Sequence, residues 1–331
     1  MPNMPSSFST HAIPDLSGKV ILITGGELFH DSALATHTTL TLVDPGNAGL
    51  GKEAALQFAK HNPSRIFIAS RTEEKARKAI AEIVAVVPTA HITPIQLDLA
   101  SLASVAAAAK AVMSMTSRLD ILMNNAGIMA VPPQLSADGY EIQFATNFLG
   151  HALLTKLLLP LLLTTAREPA ADVRIITLTS HSHQRAPKSG ILFDALRSAN
   201  GASTPLANYA QTKLANILYS KQLAQRYSSI KAVAVHPGMV NTGLSTTMKE
   251  SFLLARLVMP IVALWQGVAV EKGVLNQLWA ATSRDAQSGE YYEPVGVGGL
   301  GSALSNDAKL GNKLWVWTAD ELASFTPEAR L

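Results

Sequence analysis

The 331-residue chain contains no cysteine, which excludes both a disulfide scaffold and a thiolate nucleophile. Charge is sparse: Asp, Glu, Lys and Arg make up 15% of residues, and the formal net charge of +3 is spread along the chain. There is no run of Lys or Arg, so the electrostatic footprint of a nucleic-acid binder is missing and no nucleic-acid partner is expected. Long apolar runs are also missing. The longest stretches, "ALLTKLLLPLLL" and "FLLARLVMPIVALW", are each interrupted by a Lys or Arg and a Pro, and fall short of a membrane span. No integral span is expected. The first stretch reads as a buried helix and the second as a substrate-side helix. The N-terminal "MPNMPSSFSTHAIPDLSGK" lacks the apolar region of a secretory leader, so residues 1–16 read as a polar arm and the expected location is cytoplasmic. Peripheral attachment to a membrane through the second apolar stretch is a weaker reading.

What the chain does have is apolar content, 48%, enough for a sizeable core without partners. Its pattern alternates between two periods. "KVILIT", "RIFIAS", "HITPIQLDL", "LDILMNNAG", "VRIITLTS" and "IKAVAVHPG" are short, continuous apolar runs of strand type. Between them lie helical patterns: "GLGKEAALQFAKH", "TEEKARKAIAEIVAV", "SLASVAAAAKAVMSM", "DGYEIQFATNFLGHALLTKLLLPLLL" and "YAQTKLANILYSKQLAQRY". Apolar strands alternating with helices predict an α/β fold, a doubly wound parallel sheet of Rossmann type. No internal repeat or linker divides the chain, so residues 17–331 are read as one domain.

In such folds ligands gather at the carboxyl ends of the strands. Those ends are small, polar or glycine in all six strands: Thr24-Gly25-Gly26, Ser70-Arg71, Asp98-Leu99, "NNAG" from Asn124 to Gly127, Ser180, and "HPG" from His236 to Gly238. Downstream of Ser180, Tyr209 and Lys213 stand four residues apart on a helical pattern and therefore share a face. A phenol is a poor base at neutral pH, but a neighbouring ammonium favours its ionised form. Tyr209 would then act as a general acid/base on an alcohol–carbonyl pair, and Ser180 would donate a hydrogen bond to the substrate oxygen.

Taken in order, the split "TGG…NAGLG", Asp98, "NNAG", Asn147, Ser180, "YAQTK" and "HPGMVNT" resemble the short-chain dehydrogenases/reductases, and most of all their retinol-dehydrogenase-like branch. The resemblance runs from about Ser17 to the C-terminus. It implies a catalytic set of Ser180, Tyr209, Lys213 and Asn147, with Asn147 assigned to a proton relay through a water and the lysine. An asparagine in mid-helix is costly in propensity, which fits a functional exception. It also implies a cofactor surface built from Thr24, Gly25, Gly26, Asn47, Gly49, Leu50, Gly51, Arg71, Asp98, Leu99, Asn125, Ala126, Gly127, Tyr209, Lys213, Pro237, Gly238, Val240 and Thr242. Asp98 and Leu99 would flank the adenine, and Thr242 would contact the nicotinamide or pyrophosphate end. At the end of the second strand an acidic residue would favour NAD. Here Arg71 suits the 2′-phosphate instead, so NADP(H) is the expected cofactor.

The family's lid region, residues 239–270, carries Met239, Leu244, Met248, Phe252, Leu257, Met259 and Trp265. An apolar small-molecule substrate is expected, such as a lipid, a terpenoid or a polyketide-like ketone of secondary metabolism. Homo-oligomerisation is left open. His181 and His183 lack further ligands at metal spacing, so no metal is expected and both read as loop residues near the substrate mouth. "LWVWTADEL" reads as a packed terminal segment before a helix cap at Thr318.

One feature breaks the pattern. Twenty residues, Glu27 to Gly46, separate the halves of the glycine motif, and their removal restores "VILITGGNAGLGKEAALQFA". Connections of this kind are normally about 2–6 residues long. Gly26-Glu27 can be encoded with a GTGAG splice donor and Pro45-Gly46 with a CAG acceptor, which fits a retained intron. The rival reading is a genuine insertion in which "TLTLVD" adds an edge strand. The enzyme reading therefore has an alternative: a cofactor-binding or inactive relative whose loop is disrupted by residues 27–46.

Overall fold

In the strand Val20–Thr24 (β1) every residue is buried, although alternate side chains point in opposite directions. Both faces of the sheet must therefore be covered. The computed structural model describes residues 8–25, 48–202, 204–238 and 269–325. The expectations for Gly26, Asn47, Val240 and Thr242, for the segment 27–46 and for the lid up to residue 268 fall outside these residues.

Six further strands join β1: β2 (Arg65–Ser70), β3 (Ile92–Gln96), β4 (Ile121–Asn124), β5 (Arg174–Leu178), β6 (Lys231–Val235) and β7 (Tyr291–Tyr292). All pairings are parallel, in the order β3-β2-β1-β4-β5-β6-β7. The direction of winding reverses between β1 and β4, so the ligand crevice of a doubly wound sheet opens above those two strands.

Among the described residues the α-helices are α1 (Ala48–Ala59), α2 (Glu73–Val86), α3 (Leu102–Met115), α4 (Ile142–Phe144), α5 (Gly150–Ala166), α6 (Pro205–Arg226), α7 (Val270–Gly273), α8 (Leu275–Thr282) and α9 (Ala308–Glu321). Two large cores form, one on each face of the sheet, with a small third cluster of Ile217, Ala234 and Tyr291. Leu22, Phe67 and Leu122 face the layer of α3, α5 and α6. Ile21, Ile23, Ile66 and Ile68 face the layer of α1, α2 and α8. Burying a side chain of this size is worth roughly 1.5–3 kcal/mol, which is why the strands read as unbroken apolar runs.

The rod Ile142–Ala166 is the one helix among the described residues that is long and apolar enough to cross a membrane. Leu153, Leu154, Leu158 and Leu162 on it are fully buried in the first core, which makes it a core helix. It is not regular throughout: between α4 and α5, Ala145–Leu149 form a π turn that contains Asn147.

The end of the chain departs from the sequence reading. "LWVWTADE" lies inside α9, with the following Leu322 as its C-cap, and Thr318 is a buried residue within the helix. The N-cap is Asp307, whose carboxylate accepts from the Lys309 and Leu310 amides. The segment is packed as expected, its two tryptophans serving different neighbours. Trp315 stacks on Tyr219 of α6, while Trp317 meets Tyr140, Phe144 and Phe193 edge-on or tilted.

Candidate active site

β1 delivers Thr24 and Gly25 to the crevice. The Thr24 hydroxyl oxygen accepts from the amides of Asn125 and Ala126, at 3.0 and 3.1 Å, and so joins the end of β1 to the end of β4. The Asn125 side-chain amide returns the link by donating to the Thr24 and Gly25 carbonyls at 2.8 and 3.3 Å. Gly25 has a φ of 73°, and a Cβ there would lie 2.9 Å from that of Ala126. Gly51, in the first turn of α1, is closer still: a Cβ on it would sit 2.4 Å from the Gly25 carbonyl oxygen and 2.8 Å from Asn125 Nδ2. Only glycine fits this cradle. The two halves of the glycine motif thus meet in space despite the residues between them, and Gly49, Leu50 and Gly51 lie in the first turn of α1. Its leading N–H groups have no partners within the helix, which suits an anionic pyrophosphate. The residues present fit a dinucleotide.

Arg71 is exposed immediately after β2, beside the buried Ser70, whose hydroxyl donates to the Thr72 carbonyl at 2.8 Å. At the end of β3 the Asp98 carboxylate accepts from the Ala100 amide at 2.9 Å, and Leu99 is buried. A Cβ on Gly150 would lie 2.4 Å from the Leu99 carbonyl oxygen, so α5 presses directly on this loop. Pro237 and Gly238, half-buried, follow β6, and Gly238 has a φ of 85°. Gly127 is buried beyond β4.

Tyr209 and Lys213 occupy the buried face of α6, 8% and 3% exposed, with the Lys213 ammonium 5.4 Å from the centre of the Tyr209 ring. Lys213 Nζ donates to the Leu178 carbonyl at the end of β5, and Asn216 donates to the same oxygen. The Lys213 carbonyl in turn accepts from the Thr179 hydroxyl at 2.7 Å. Ser180, half-buried, caps the short helix His181–Arg185, its oxygen accepting from the Ser182 amide at 3.2 Å.

Asn147 is tied to α6 by a hydrogen bond from its Nδ2 to the Thr212 hydroxyl, which itself donates to the Tyr209 carbonyl. The rest of its amide pairs with both backbone groups of Ile128, at 2.7 and 2.8 Å. Both polar atoms of the side chain are used in holding the loop after β4 against α6.

Several polar groups of this region carry little or no sequence signal. His151, buried on α5, places Nε2 2.9 Å from the Thr24 hydroxyl and Nδ1 3.2 Å from the Asn147 carbonyl. Burial pushes its pKa down to about 4, with Lys213 adding to the effect. A lone histidine in the apolar "NFLGHALL" gave no periodicity to notice. Gln277 of α8 reaches between the Leu50 carbonyl and Asn125. His183 is also buried rather than at a mouth: Nδ1 faces the Ser180 carbonyl, and Nε2 accepts from the Ser302 amide. His181 is exposed and pairs with Glu293 at 2.9 Å. His236 lies 3.8 Å from the same carboxylate, and burial lowers its pKa to about 4. Burial opposes ionisation of Glu293, yet the Tyr291 hydroxyl and the two histidines outweigh it and hold the carboxyl below its ordinary range. Among the described residues no group of side chains forms a metal site.

A parallel sheet with its glycine cradle at the switch point, and a buried tyrosine–lysine pair on the helix that joins β5 to β6, define a Rossmann-type fold with a dinucleotide cradle and a candidate acid/base pair. Comparison with known proteins makes this specific. The family model described as short chain dehydrogenase matches residues 40–199. The "Short-chain dehydrogenase/reductase drtF" of Aspergillus calidoustus is 35% identical over 326 residues, covering 94% of this chain and 96% of that protein. An uncharacterised oxidoreductase of Schizosaccharomyces pombe, C736.13, is 36% identical over 305 residues, covering 89% and 83%. Among solved structures, an uncharacterised protein from Mycobacterium Paratuberculosis superposes with a TM-score of 0.70 at 26% identity, covering 96% of this chain and 98% of that one. The chain belongs to the short-chain dehydrogenase/reductase family.

Proposed function

We propose that this oxidoreductase uses NADP(H) to interconvert an alcohol and a carbonyl on an apolar small molecule. The observation that carries the reading is the Tyr209–Lys213 pair, buried on one face of α6 and anchored to the end of β5 through Leu178. In the reducing direction Tyr209 gives its hydroxyl proton to the carbonyl oxygen as that oxygen gains charge. The Lys213 ammonium stabilises the phenolate left behind, and Ser180 donates a hydrogen bond to the same developing oxyanion. A bound nicotinamide cofactor would supply the hydride to the carbonyl carbon, or in the oxidising direction take it from the carbinol carbon. Asn147 keeps the loop after β4 seated against α6, and its backbone carbonyl is the acceptor for a water on the way to Lys213.

Residues Thr24, Gly25, Gly49, Leu50, Gly51, Asn125, Ala126 and Gly127 would line the pyrophosphate side, with Asp98 and Leu99 towards the adenine. Gly26, Asn47, Val240 and Thr242 complete the surface in the family pattern. Arg71 supports the preference for NADP(H), because a guanidinium pairs with the 2′-phosphate where an acidic residue would repel it. The apolar residues of the lid sequence support an apolar substrate.

The second reading, a relative that binds cofactor without turnover or does not bind it, is favoured by the interruption at residues 27–46. A panel of apolar ketones and alcohols assayed with NADPH, NADH and their oxidised forms, together with a fluorescence titration of NADPH, separates the two. Turnover of any member supports the enzyme, whereas saturable binding without turnover across the panel contradicts it. Absence of binding would point to the disrupted loop.

A further inference from the structure

We propose that His151 is a positioning residue of this site: as a neutral imidazole with its proton on Nδ1, it holds the end of β1, at Thr24, and the π turn of Asn147 in one register. The inference rests on the family reading of the site but concerns a residue outside its expected machinery.

Proton bookkeeping fixes the tautomer. The Thr24 hydroxyl oxygen already accepts two amide protons, from Asn125 and Ala126. Its own proton must go outward. Of the two acceptors near it, His151 Nε2 is at 2.9 Å and the Met123 carbonyl at 3.5 Å. Nε2 is therefore the acceptor and carries no proton. The ring proton then resides on Nδ1, which faces the Asn147 carbonyl at 3.2 Å. A proton on Nε2 would confront a hydroxyl whose lone pairs are both engaged, and would leave Nδ1 opposite a carbonyl with nothing to donate.

The position of the ring gives the arrangement its consequence. His151 is 3% exposed, one residue beyond Gly150, where α5 touches the Leu99 carbonyl. Through Thr24 it sets the direction of the hydroxyl that binds the first two amides after Asn124, next to the Gly25–Gly51 cradle. Through Nδ1 it holds the Asn147 carbonyl, inside the π turn that offsets this helix from regular α geometry. Only an imidazole offers an acceptor and a donor on opposite edges at this separation. Leucine would fill the space with neither, asparagine would keep the donor nearer the backbone, and glutamine would reach Thr24 with an acceptor.

The tautomer is tested first, without cofactor or substrate. Long-range 15N–1H correlation spectra of the intact protein at neutral pH should show His151 with protonated Nδ1 and bare Nε2. An Nε2–H or doubly protonated ring would overturn the proposal. The coupling is tested with His151→Leu, His151→Asn and His151→Gln, each checked for cooperative thermal unfolding. Losing a buried hydrogen-bond partner should weaken NADPH binding by roughly 10- to 100-fold in the leucine and asparagine variants. Glutamine, which keeps the acceptor for Thr24 but not the donor to Asn147, should recover part of the affinity and fall between leucine and the wild type, and in a Thr24→Val background His151→Leu should have a smaller effect than in the wild type. If the ring only fills space, leucine will match the wild type and glutamine will be the worst of the three, which contradicts the proposal. If the wild-type chain binds no NADPH, the proposed function fails but this inference is still decided. The amide resonances of Asn125 and Ala126 must then shift in His151→Leu and return in His151→Gln, and unmoved resonances would refute it.

Discussion

Gly51 approaches Gly25 so closely that a methyl group on it would lie 2.4 Å from the Gly25 carbonyl oxygen. No rotamer relieves that contact, because the obstacle is backbone. Gly51→Ala should therefore push α1 away from β1, with an overpacking cost of about 1–3 kcal/mol, and weaken NADPH binding more than it lowers the melting temperature. Thermal melts and NADPH titrations of the variant check this. Wild-type affinity would mean that α1 does not form the cradle.

The same contact bears on residues 27–46. Gly25 and Gly51 are neighbours on either side of that segment, so removing Glu27 to Gly46 should leave the scaffold intact and tighten NADPH binding. Titration of the full chain and the deletion variant side by side gives the answer, and equal affinities would make the segment a tolerated insertion. Sequencing the mature transcript tests the intron reading separately: a spliced message that still encodes Glu27 to Gly46 would sink it.

Arg71 stands exposed at the carboxyl end of β2. Arg71→Glu should weaken NADPH binding by an amount on the order of 1.5–3 kcal/mol, the worth of a charge-assisted hydrogen bond, and affect NADH much less. Kd values for both cofactors in both proteins are the measurement. A loss shared equally by the two would show that Arg71 is not the selector.

His151 and His236 should make the fold acid-labile. Both are held at a pKa of about 4, mainly by burial, against an ordinary 6.5. The unfolded chain therefore takes up protons below pH 6.5 that the folded chain refuses until about pH 4. Stability is fully present above that window, falls as pH drops through it, and levels off below it, at a cost on the order of 3 kcal/mol for His151 and somewhat less for the slightly exposed His236. Urea midpoints from pH 7 to pH 4 should fall more steeply for the wild type than for His151→Gln. Parallel profiles would show that His151 titrates normally.

The five inner strands were legible because both faces of a parallel sheet are covered, so each reads as an apolar run ending in Gly, Ser, Asn or His; the edge strand β3, mostly half-buried, was found from its place between two helical patterns. β7 was not: Tyr291–Tyr292 is only two residues long, and its place at the sheet edge comes from β6 and α8. Asn147 stood out as a costly residue in a helix, but the π turn that accommodates it has no local signature. Thr318 reads as a cap because Thr followed by acidic residues resembles a helix start, whereas the helix begins at Ala308, capped by Asp307. His151, His183 and Gln277 were invisible for a common reason. Each is a single polar residue whose partners are contributed by distant elements, and no spacing along the chain encodes such a contact.

The most direct test compares the wild type with Tyr209→Phe, using NADPH deuterated at the transferred position and a carbonyl substrate found in the panel. The wild type should place deuterium on the carbinol carbon. The variant should bind NADPH as well as before and turn over about 10²–10⁴-fold more slowly, the usual worth of a general acid. Turnover in Tyr209→Phe close to that of the wild type would contradict the assignment of Tyr209 as the proton donor.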